Sequence, residues 1–202
     1  MKIKHLFYLF IAAFIMSFAG CTQTESKPIK TKLLAAKPTV GQPVDSLNGV
    51  YVYYNGRVGN VIGRNTTSDG YNLGLKYQCV EFVKRYYYEH LNHKMPDSYG
   101  HAKDFYEPNL RDGQKSQRRN LTQYSNPSNS QPKVNDLLVF KETTFNPYGH
   151  VAIVSKVSEN SIEIIQQNPG SLASSRANFG LVKNSDGWSI DNNLIVGWLR
   201  KN

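Results

Sequence analysis

The chain has 202 residues and a formal net charge of +9. That length suffices for one sizeable core and shows no internal repeat. The positive balance suits an anionic polymer or a membrane surface without naming either, and no nucleic-acid-binding motif accompanies it.

Residues 1–20 read as a targeting segment. Lys2 and Lys4 precede an apolar run, Leu6–Ala19, that closes on Phe18-Ala19-Gly20-Cys21. The run is shorter than the roughly 20 apolar residues a membrane-spanning helix needs, and it has the anatomy of a signal peptide. Small residues before a cysteine resemble a bacterial lipobox, in which Cys21 is lipidated and becomes the mature N-terminus. The expectation is an exported, membrane-anchored lipoprotein facing the periplasm or cell wall. Residues 21–46, rich in Lys, Thr and Pro, read as a tether. Residues 47–202 read as the single domain.

Within that domain, GVYVYYNGRVG predicts strand broken by an Asn55-Gly56 turn. QCVEFVKRYYYEHLNHK then changes to helical spacing, with Val80, Val83, Tyr87 and Leu91 on one face. A second helix is expected around 98–107. Residues 111–133 are Ser-, Asn- and Gln-rich and predict a long surface excursion, a candidate substrate lid. Tyr51–Tyr54 and Tyr86–Tyr88 fit core packing better than a substrate groove. Four β-branched runs follow: DLLVF (136–140), HVAIVSKV (150–157), SIEIIQQ (161–167) and LIVGWLR (194–200). A helix followed by a run of strands is the order of an α+β domain, with the helix on one face of an antiparallel sheet.

With Cys21 assigned to lipid, Cys79 is the one thiol left, and it stands where the helix starts. A helix N-terminus and a nearby imidazole lower a thiol's pKa toward neutrality, which is what a nucleophile requires. His90 and His93 lie about 16–21 Å down the same helix and cannot reach it. They read as exposed helix-end residues, and no further His or Cys completes a metal site with them. His101 falls in polar loop. His150 follows Asn-Pro-Tyr-Gly and opens an apolar strand, so a turn presents its ring at the mouth of the sheet, as a base candidate. The following strand returns antiparallel and brings Gln166 and Asn168 back to the level of His150. Either could orient the imidazole.

YQCVEFVKRYY, NDLLVF, YGHVAIVSKV, IEIIQQN and IVGWLR together resemble the CHAP family of cysteine- and histidine-dependent amidohydrolases and peptidases. Within that family the run Gln78-Cys79-Val80-Glu81-Phe82 and the Gly-Trp ending are similar to the glutathionylspermidine amidase type. The resemblance implies a papain-like α+β fold of the NlpC/P60-CHAP kind. It implies Cys79 as nucleophile, His150 as base and then acid, and an orienting residue at Gln166 or Asn168. The Cys79 backbone N–H would serve the oxyanion hole, with a second donor around Tyr77–Gln78. No metal or organic cofactor is implied. Many relatives carry a carboxylate where Gln166 stands, and an amide holds an imidazole without stabilising its charged form.

Peptidoglycan is the expected partner, through hydrolysis of its peptide amides. The alternatives are hydrolysis of a glutathione–polyamine conjugate and a catalytically weak module that binds peptidoglycan.

Overall fold

The computed structural model describes residues 37–170 and 173–202. The targeting segment 1–20, Cys21 and most of the tether lie outside the described residues. Residues 43–46, read as the end of the tether, are instead part of the first strand. That strand, β1 (Pro43–Leu47), pairs with β2 (Val50–Tyr53). Their turn is Asn48-Gly49, with φ of 49° and 83°, the left-handed pair that a tight hairpin needs. The hairpin turn expected at Asn55-Gly56 is therefore seven residues too late. Asn55 is buried, and its amide binds the carbonyls of Arg57 and Asn60 while its oxygen accepts from Tyr77 N–H.

A second small hairpin, β3 (Arg64–Thr66) with β4 (Asn72–Leu75), leads into α1 (Cys79–Glu89). Gly74 (φ 126°) lies so close to α1 that a Cβ there would meet the Glu81 backbone at 3.2 Å. The remaining strands are β5 (Lys115–Ser116), β6 (Leu121–Ser125), β7 (Leu137–Phe140), β8 (His150–Val157), β9 (Ser161–Ile165), β10 (Arg176–Asn184), β11 (Gly187–Ile190) and β12 (Ile195–Arg200). They form one antiparallel sheet in the order β11-β10-β9-β8-β7-β12-β6-β5. The sheet curls until its β11 edge meets the chain leaving β6. Trp188 and Ser128 exchange backbone hydrogen bonds there, and the Asn126 side chain spans to Ile190 and Ile195.

Alternation along β7 and β8 splits the core in two. Leu137, Val139, Val151 and Ile153 face α1, where Phe82, Val83, Tyr86 and Tyr87 cover them. Leu138, Phe140, Ala152 and Val154 face the inside of the curl with Ile164, Leu181, Ile190 and Trp198. The expected helix on an antiparallel sheet is present, and Val83 and Tyr87 lie on its buried face. The balance differs from the α+β expectation, because the described domain is mostly β with α1 as its one α-helix. The second helix expected at 98–107 is a short 3-10 turn, Ala102–Phe105.

Residues 111–133 are a surface excursion only in part: most of 111–120 is exposed, but the segment is also built into the sheet. They supply β5 and β6, and Ser116, Arg119, Leu121, Gln123 and Ser128 are buried. The polar composition misled because these side chains bind backbone inside the fold: Gln123, for example, satisfies both the N–H and the C=O of Glu107.

Candidate active site

Cys79 is the first residue of α1, and the extended backbone of Gln78 caps it without a side-chain bond. His150 opens β8 directly opposite Phe140, whose ring packs on it at 5.6 Å. The turn before it is held by Asn146, whose amide donates to Gly149 O and whose side-chain oxygen accepts from Tyr148 N–H. Gly149 (φ 71°) is required there, since a Cβ would lie 2.6 Å from Phe140 O. Cys79 and His150 then line one cavity of about 550 Å³, together with Gln78, Asn168 and residues of β3 and β4. No hydrogen bond joins thiol and imidazole among the described residues.

Of the two candidates, Gln166 is the one that contacts His150. Its Oε1 lies 2.9 Å from His150 Nε2, and its own Nε2 donates to Ser174 O at 3.0 Å. The Ser174 bond fixes which end of the amide faces the ring. An oxygen can only accept, so Nε2 carries the proton and Nδ1 keeps the lone pair. Asn168 does not touch the imidazole. In a left-handed conformation (φ 55°), it donates to Gln78 Oε1 and Val58 O, each at 2.8 Å.

Gln167, which the alternation argument passed over, ties the same strand end to the helix. Fully buried, it donates to Gln78 O and to Glu81 Oε2, and it accepts from Tyr53 N–H. Three consecutive residues thus serve three targets: the imidazole, the start of α1 and the Gln78 amide. The signal was available, since a strand that turns Gln166 to one face turns Gln167 to the other.

The second oxyanion donor expected around Tyr77–Gln78 is not free. Tyr77 N–H donates to Asn55, Gln78 N–H donates to Leu75 O, and the Gln78 amide donates to Val58 O and Asn60 O. The Cys79 and Val80 N–H groups, at the open first turn of α1, face the thiol along with backbone from Val151.

The electrostatics also differ from expectation. Burial pushes the Cys79 thiol above its ordinary value, and the backbone bonds from Val151, Val80 and Cys79 offset this only in part. Burial pulls His150 down to about 4, against a smaller opposing effect of Gln166. Both groups are therefore held neutral at pH 7, as thiol and imidazole. Desolvation outweighs the helix terminus here, and the neutral amide at position 166 opposes it only in part.

Of the other histidines, His93 is buried rather than exposed, with Nε2 2.9 Å from Arg119 O. His90 caps the end of α1. His101 lines the cavity and packs on Tyr148 at 4.8 Å.

Residues 68–168 match the CHAP domain model, a stretch that contains Cys79, His150, Gln166 and Asn168. The chain is 34% identical to glutathionylspermidine synthase of Crithidia fasciculata over 103 residues, covering 48% of this chain and 14% of that protein. It is 26% identical to trypanothione synthetase of the same organism over 106 residues, covering 52% of this chain and 16% of that protein. The chain thus spans a small part of the length of these relatives. A crystal structure of wild type endolysin LysIME-EF1 matches with TM-score 0.38 and 18% identity, over 71% of this chain and 60% of that one. On the family match, which takes in half of the sequence and the whole Cys–His pair, the chain belongs to the CHAP domain family.

Proposed function

We propose that this protein is a thiol-dependent amide hydrolase of the cell envelope that cleaves peptide bonds in peptidoglycan. The observation that carries the reading is the His150–Gln166 contact of 2.9 Å, which leaves Nδ1 as the basic nitrogen of a ring that shares its cavity with Cys79. Cys79 sulfur attacks the amide carbonyl as its proton passes to His150 Nδ1, so thiolate forms only as the C–S bond does. The negative oxygen is stabilised by the orphan N–H groups at the start of α1. His150 returns the proton to the leaving nitrogen, the C–N bond breaks, and a thioester remains. A water, deprotonated by His150, then cleaves the C–S bond and restores the thiol. Lipidation at Cys21 and export would set the domain beside its polymer, which accords with the positive charge.

A second reading, hydrolysis of a glutathione–polyamine amide, is favoured by the match to glutathionylspermidine synthase. One assay separates the readings. The full chain and its Cys79→Ala variant are incubated with purified peptidoglycan and with glutathionylspermidine, and products are read by mass spectrometry. The proposal predicts new amino termini from peptidoglycan with the wild type alone. Release of spermidine without peptidoglycan cleavage moves the assignment to the second reading. Peptidoglycan binding with no cleavage of either substrate marks a binding module.

A further inference from the structure

The residues lining the cavity include no Asp or Glu, and Arg64 is their one formally charged member apart from histidine. Arg64 stands on β3 with an exposed side chain, and no carboxylate pairs with it among the described residues. Its guanidinium is nevertheless positioned. Nη1 donates to Asn72 Oδ1 at 2.9 Å, and the group lies 5.7 Å over the Tyr99 ring. Asn72 is itself fixed, donating to Ser98 O and accepting from Gly74 N–H. A fork held by one nitrogen, with its other donors open to a cavity, is suited to bidentate capture of a carboxylate.

A second cation lies behind the lining residues Asn72 and Ser98. Buried Lys84 holds the carbonyls of Asn72 and Ser98. Its pKa is pulled down to about 7 by burial first, then by the charges of Arg119 and Arg64. Arg64 therefore stands near two further basic side chains, Lys84 and Arg119, with Asp97 as the opposing acidic group.

We propose that Arg64 anchors a free carboxylate of the substrate, so that this cavity selects peptide amides with an anionic group on the part lying over β3 and β4. The assignment rests on the amide-hydrolase reading for the identity of the substrate and deepens it, because the lining holds a cation for a peptide carboxylate and no anion for a polyamine. Arg64 is a specificity residue, remote from the bond-breaking steps.

The test uses the full chain with Cys79→Ala, so that nothing is turned over. Calorimetry at 0.15 M salt measures binding of L-Ala-γ-D-Glu-L-Lys-D-Ala and of the same peptide with its carboxylates amidated. The anionic form is expected to bind at least tenfold more tightly, and Arg64→Gln should bring the ratio to within about twofold. Arg64→Lys should recover part of it. Lys156→Gln, which removes an exposed charge outside the lining, should leave it intact. Equal affinity for the two peptides, a ratio that survives Arg64→Gln, a ratio lost equally in Lys156→Gln, or no binding of either peptide overturns the assignment. Cleavage by the wild type is scored separately. Its absence beside an Arg64-dependent ratio would refute the hydrolase reading and leave the anchor standing.

Discussion

The two flanks of α1 bury charge in opposite ways. On one, Glu81 accepts from Arg85 Nε at 2.7 Å, from Asn65 at 2.7 Å and from Gln167 at 2.8 Å. Arg85 also donates to Tyr51 O and stacks on Tyr53 at 4.9 Å. On the other flank, Lys84 and Arg119 have backbone carbonyls as partners and no carboxylate in contact. Arg119 binds Asp97 O, Tyr99 O and Asp104 O, lies 4.0 Å over Phe105, and leaves Nε without a partner. A paired flank locks geometry: it joins the start of α1 to Gln167, and through the neighbouring Gln166 to His150. A carbonyl-held flank leaves its cations without a carboxylate in direct contact, with Asp97 and Asp104 acting on them only from a distance. The first ties the helix start to the strand end that carries Gln166, and the second surrounds the proposed carboxylate anchor at Arg64 with further cations.

Glu81→Gln should break the paired flank with the largest effect. It leaves Arg85 buried without a counter-charge, and a loss of about 3–5 kcal/mol is expected from urea unfolding. A fall below about 1 kcal/mol would show the network to be incidental.

His150 gives the next effect, through pH. Its folded pKa of about 4 lies below the ordinary 6.5, so the unfolded chain binds more protons between those values. Stability from this group is fully present above about pH 6.5 and is lost as pH falls toward 4, by up to about 3 kcal/mol. His150→Gln should flatten that part of the profile. An unchanged slope would mean that the imidazole is not held neutral.

Lys84→Met sharpens the contrast between the flanks. It removes a desolvated charge together with its penalty and leaves two carbonyls short of a donor, so the net change near pH 6 should stay within about 1 kcal/mol. Lys84, with its folded pKa near 7, makes the wild type gain stability as pH rises from about 7 toward 10.5, and the variant should lose that gain. Thermal unfolding against pH reads both. Asn168→Ala should be milder for His150 than Gln166→Ala. It frees the Gln78 amide, at about 1 kcal/mol, without altering the pKa of the ring in an NMR titration.

The sequence exposed those parts of the molecule whose signal is local. The helical spacing from Cys79, the four β-branched runs and the turn before His150 each depend on near neighbours, and all three appear in the fold. Gln166 and Asn168 were equivalent in sequence because both follow the same strand. Only the bond from Gln166 to Ser174 and the left-handed backbone of Asn168 separate them. The buried charges on α1 were invisible for a related reason. Helical periodicity assigns Glu81, Lys84 and Arg85 to a solvated face, and that face is covered by two hairpins and Gln167, brought in from distant parts of the chain. The buried residues within 111–133 escaped the sequence reading because polar composition does not distinguish side chains facing water from side chains satisfying buried backbone.

Cys79, His150 and Gln166 form one chemical unit in this reading, held neutral at rest by burial that a neutral amide at position 166 is too weak to overcome. The most direct measurement is the rate of Cys79 alkylation by iodoacetamide against pH, in the wild type, in Gln166→Glu and in Gln166→Glu with His150→Ala. The wild-type profile should rise only at alkaline pH. A carboxylate at 166 should stabilise the imidazolium and through it the thiolate, moving the profile down by about 1–2 pH units. Removing His150 should cancel that shift. Superimposable profiles for the wild type and Gln166→Glu would contradict this, leaving Cys79 a half-buried thiol with no chemical connection to the pair beside it.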